Sequence, residues 1–67
     1  MPTLSPGEAR VYIDLFSKHT LKGADHVVFE SGEIILFKSM TDEQALRVAR
    51  ALMALEAEAA RRFPRRA

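Results

Sequence analysis

Residues 26–38 read HVVFESGEIILFK. Two runs of β-branched and aromatic residues flank Ser31-Gly32, which is the pattern of a β-hairpin. With a two-residue loop, Phe29 stands opposite Ile34 and Val27 opposite Leu36 on one face. Val28, Ile35 and Phe37 then occupy the other face, with His26, Glu30 and Glu33 at its margins. A three-residue loop with a bulge regroups these residues but still leaves large apolar side chains on both faces. A hairpin with one wet face alternates apolar and polar residues. This one does not, so something must cover each side.

The chain has little else to cover it with. It is 67 residues long and has no cysteine. A domain of this size buries only about 60% of its unfolded surface, and small domains commonly add a disulfide, a metal or a partner subunit. The missing cysteine removes disulfides, thiolate zinc sites and thiol nucleophiles together. At 48% apolar and 28% charged residues, the composition is that of a globular protein. One small domain over 1–67 is expected, with a basic C-terminal end over 61–67. The first ten residues lack a signal-peptide apolar run and "IILF" is too short to span a bilayer, so a soluble, cytoplasmic protein is expected.

The flanking segments read as helices. Ser5, Pro6 and Glu8 form a start signal, with Ser5 as cap and Glu8 closing a capping box. Ala9, Tyr12, Ile13, Phe16 and Thr20 follow at helical spacing. The β-branched and aromatic content of "RVYIDLF" is the competing claim for a strand over 9–16. Thr41 and Gln44 make a second capping box, followed by a helical pattern of about 22 residues, about 33 Å, ending at Phe63 before Pro64. The order α-β-β-α predicts an α+β fold. An antiparallel hairpin packs against two helices, and a second subunit completes the sheet at its open edges.

Chemistry-bearing patterns are sparse. His19 and His26 share no metal-ligand spacing, the serines have no base partner, and Gly7, Gly23 and Gly32 form no phosphate loop. No catalytic residue, metal or cofactor is expected, and the chain is read as not an enzyme. Association is the leading expectation, as a homo-oligomer and most simply a dimer. The interface candidates are the hairpin residues Val27, Val28, Phe29, Ile35 and Phe37, joined by Val11 and Leu15. These two lie one turn apart on the first helix, off its apolar stripe. Glu56 joins them because it falls within the apolar face of the second helix, where a charge must be paired or wet. It is either exposed past the edge of the core or paired with an arginine of a partner.

Two other readings remain. Residues 1–60 carry six Lys/Arg against nine Asp/Glu, whereas "RRFPRR" carries Arg61, Arg62, Arg65 and Arg66. These four are the candidate phosphate contacts of a nucleic-acid-binding accessory protein. Arg61 and Arg62 equally suit the negative end of a helix, and no aromatic platform accompanies them. The last reading is a ligand site between subunits involving His26. No membrane partner is expected.

Overall fold

The computed structural model describes residues 3–63. Its elements are α1 (Pro6–Thr20), β1 (His26–Val28), β2 (Ile34–Leu36) and α2 (Asp42–Arg62). The fold is α+β, with a two-stranded antiparallel hairpin. Segment 9–16 is helical. Both capping boxes form: the Ser5 hydroxyl accepts from the Glu8 amide while the Glu8 carboxylate accepts from the Ser5 amide, and Thr41 and Gln44 repeat the exchange. These caps satisfy orphan amides at each helix start. Among the described residues, no helix is long and apolar enough to cross a membrane.

The hairpin takes the three-residue connection, not the two-residue one. Val27 pairs with Ile35 and Val28 with Ile34. The Phe29 amide donates to the Glu33 carbonyl at 2.9 Å, and the Gly32 amide donates to the Phe29 carbonyl at 2.8 Å. Gly32 has φ of 92°, the left-handed residue that lets such a loop return to the ladder. Relative to the two-residue loop, β2 is shifted by one position, so its side chains exchange faces. Ile35 now lies with Val27 on the inner face and Ile34 with Val28 on the outer one.

One core joins both helices and the hairpin. Ala9 and Ile13 of α1, Ile35 of β2, and Ala45, Val48, Ala49 and Leu52 of α2 are its buried apolar members. Leu4, Tyr12, Phe16, Val27, Phe29, Phe37, Met40 and Leu46 pack around them. The tip of the hairpin is fastened to α2 by Arg47. Its guanidinium donates twice to the Glu33 carboxylate, at 2.8 and 3.3 Å, and lies 5.1 Å from the centroid of the Phe29 ring. Fork-to-fork geometry of this kind gives direction as well as attraction.

The end of α1 departs from the expected apolar stripe. Thr20 is exposed, whereas Ser17, which is not part of that stripe, is buried. Its hydroxyl donates to the Ala24 carbonyl at 2.6 Å, and its own carbonyl accepts from the Leu21 and Gly23 amides. Between them the chain reverses through Lys22 and Gly23, at φ of 56° and 79°. Two successive left-handed residues are what a type I′ turn requires.

Two expectations follow. A Cβ on Gly23 would meet no atom within 4 Å, so Gly23→Ala should destabilise through backbone conformation alone, by about 1–2 kcal/mol, measured by urea unfolding. The second concerns acid. The Arg47 hydrogen bonds hold the Glu33 carboxyl below its ordinary value. A depressed carboxyl contributes stability above its unfolded pKa and loses it as pH falls through its folded one. The stability gap between wild type and Arg47→Gln should therefore be full above the ordinary carboxyl range and narrow as the pH falls through it and below, toward the pH-independent loss of the Phe29 contact.

Candidate association surfaces

The register decides which hairpin residues face water. Ile35, expected at an interface, is 2% exposed and belongs to the chain's own core. Val27, Phe29 and Phe37 are half-buried against that core. Of the five hairpin candidates, Val28 alone is exposed. It is joined by Ile34 and Leu36, which the sequence reading did not single out, and the three are 60%, 62% and 51% exposed. Val28 and Ile34 are direct cross-strand partners, and Leu36 stands across from His26. They form one continuous apolar outer face, and among the described residues no further strand pairs with either edge of the sheet. The signal for Ile34 and Leu36 was the three-residue loop, whose pairing groups them with Val28.

A second apolar surface lies along α2. No residue of that helix after Leu52 is buried. Beyond this point its apolar stripe continues as Leu55, Ala59 and, at the C-cap, Phe63. Together with Phe16 and Leu21 these residues line an open groove of about 820 Å³. Glu56 sits in the groove and is exposed, so the helix has run past the edge of its core. Its carboxylate accepts a hydrogen bond from the Tyr12 hydroxyl of the same chain, which is the partner that sequence alone did not supply. Val11 and Leu15 are exposed on α1.

Charged candidates are largely engaged locally. Arg61 and Arg62 both pair with Glu58, Arg62 through Nε at 2.9 Å. Arg65 and Arg66 lie outside the described residues. His26 Nδ1 is 2.9 Å from Asp25 Oδ1, and this contact pulls the Asp25 carboxyl below its ordinary value. His19 is exposed in the last turn of α1. Among the described residues, no group of three histidine or carboxylate side chains is placed to hold a metal ion. A smaller hollow of about 360 Å³ lies beside Ser17, Asp25 and Phe37. Its rim residue Arg10 is committed to the Met40 carbonyl and to Asp42.

Comparison with protein-family models, with curated proteins and with solved structures finds no match to this chain.

The contrast between the two halves of α2 is measurable. Leu52→Ala should cost about 2–5 kcal/mol, because it opens a cavity in the core. Leu55→Ala, one turn further on and 62% exposed, should change the stability of the isolated chain by no more than about 0.5 kcal/mol. Urea unfolding at low protein concentration checks both. Equal costs would mean that Leu55 is covered after all.

Proposed function

We propose that this protein is a small, non-catalytic association module that works as a homo-oligomer, most simply a dimer, through its hairpin. The observation carrying this reading is the outer sheet face. Val28, Ile34 and Leu36 stand together in water on one side of a sheet whose other side is already packed. Contiguous apolar patches of this kind mark contact surfaces. Completion of the sheet edge to edge, as the sequence suggested, would satisfy backbone groups but leave these side chains wet. Each strand is also only three residues long, which limits what an edge can offer. Burial of the face by a second subunit answers the larger cost.

The nucleic-acid reading draws less support. Arg61 and Arg62 share the Glu58 carboxylate, so half of the proposed phosphate contacts would have to give up an ion pair first.

Sedimentation velocity tests the proposal. The wild-type chain should associate reversibly at micromolar concentration. Ile34→Lys should abolish association while leaving the far-ultraviolet circular dichroism spectrum unchanged, since Ile34 is exposed in the single chain. A wild-type monomer at high micromolar concentration overturns the proposal.

A further inference from the structure

The charges bordering the outer face give it a direction. At the hairpin tip stands Glu30, exposed in the turn that closes on Gly32. It lies two residues past Val28, the last residue of β1. At the open end stands Lys38, exposed just beyond Leu36. It is near enough to Asp25 to help lower that carboxyl. Neither Glu30 nor Lys38 takes part in an ion pair among the described residues. The other ionisable groups at these ends are engaged elsewhere: Glu33 with Arg47 on the helix side, and Asp25 with His26. The apolar outer face thus lies between an exposed acidic residue in the turn at the hairpin tip and an exposed basic residue in the turn that follows its open end.

Such a surface is complementary to itself when turned end for end. A two-fold axis lying between two sheets and running across the strands puts the tip of one hairpin over the open end of the other. Two sheets packed face to face stand about 10 Å apart, a gap their side chains fill. In that arrangement Ile34 meets the level of the partner's Leu36, Val28 that of the partner's His26, and Glu30 that of the partner's Lys38. The symmetry repeats every contact. We propose that two copies of this chain associate through their outer sheet faces with antiparallel hairpins, joined at both ends by Glu30–Lys38 ion pairs. This arrangement rests on the association reading above and specifies its partner and geometry.

Three apolar side chains make a small centre beside the roughly 800 Å² per partner of a standard interface. The flanking charges therefore weigh heavily in whether the pair forms. Charge reversal supplies the test, because both side chains are exposed and neither is in an ion pair among the described residues, so their replacement should leave the fold intact. Glu30→Lys alone sets lysine against lysine twice, and Lys38→Glu alone sets glutamate against glutamate twice. At low salt, sedimentation equilibrium should show each single variant dimerising about tenfold more weakly than wild type. The double variant E30K/K38E should return to within about threefold of wild type. An equimolar mixture of the two single variants should form heterodimers in native mass spectrometry, because opposite charges then meet at both ends. Should wild type dimerise while both single variants match it, the arrangement is overturned and association by another surface stands. Should wild type remain monomeric, the arrangement falls together with the association reading.

Discussion

One residue of loop length governs the hairpin, and through it the protein. Gly32 enters the left-handed region and closes a three-residue connection. β1 would present the same faces under a two-residue loop. β2 would not: the shift turns Ile34 and Leu36 outward and Ile35 and Phe37 inward. The inward pair packs into the core shared with α1 and α2, and Ile35 becomes the only fully buried strand residue among the described residues. Glu33 comes to lie on the same side and reaches Arg47. The core, the clasp at the hairpin tip and the wet apolar face are thus consequences of one backbone choice.

That choice was not legible in HVVFESGEIILFK. The segment Ile34–Phe37 is apolar at every position, so neither register is penalised by burying a polar group, and alternation gives no preference. The helices were legible because their signals are local. Ser5–Glu8 and Thr41–Gln44 are self-contained exchanges within one turn, and the apolar spacing of α2 runs continuously from Ala45. What escaped were contacts spanning long stretches of chain. Tyr12 and Glu56 are 44 positions apart, and nothing in either neighbourhood announces the other. Ser17 escaped for a different reason. A hydroxyl is welcome inside only if a carbonyl meets it, and the carbonyl of Ala24 arrives only after the reversal at Lys22-Gly23.

α2 is built for a span that α1 cannot match. The longer helix has 21 residues against 15, and its last three turns leave the core. Alanines at 54, 57, 59 and 60 sustain it there by helix propensity. Glu58 adds a pair with Arg61 and another with Arg62. Such exposed pairs contribute only about 0.3–0.5 kcal/mol each. The groove beside Phe16 is therefore walled by a helix that is held by its own backbone more than by its neighbours.

The make-up of the core carries a thermal consequence. Three of its seven buried apolar residues are alanines: Ala9, Ala45 and Ala49. They let α1 and α2 approach closely, but each withdraws little apolar surface from water. The heat-capacity increment of unfolding grows with the apolar area exposed, and typical domains show about 12–15 cal/mol/K per residue. A lone chain with this core falls toward the low end, and its unfolding enthalpy changes slowly with temperature. The free-energy curve expected of such a chain is correspondingly flat. Cooling should then cost the fold little of the stability it has.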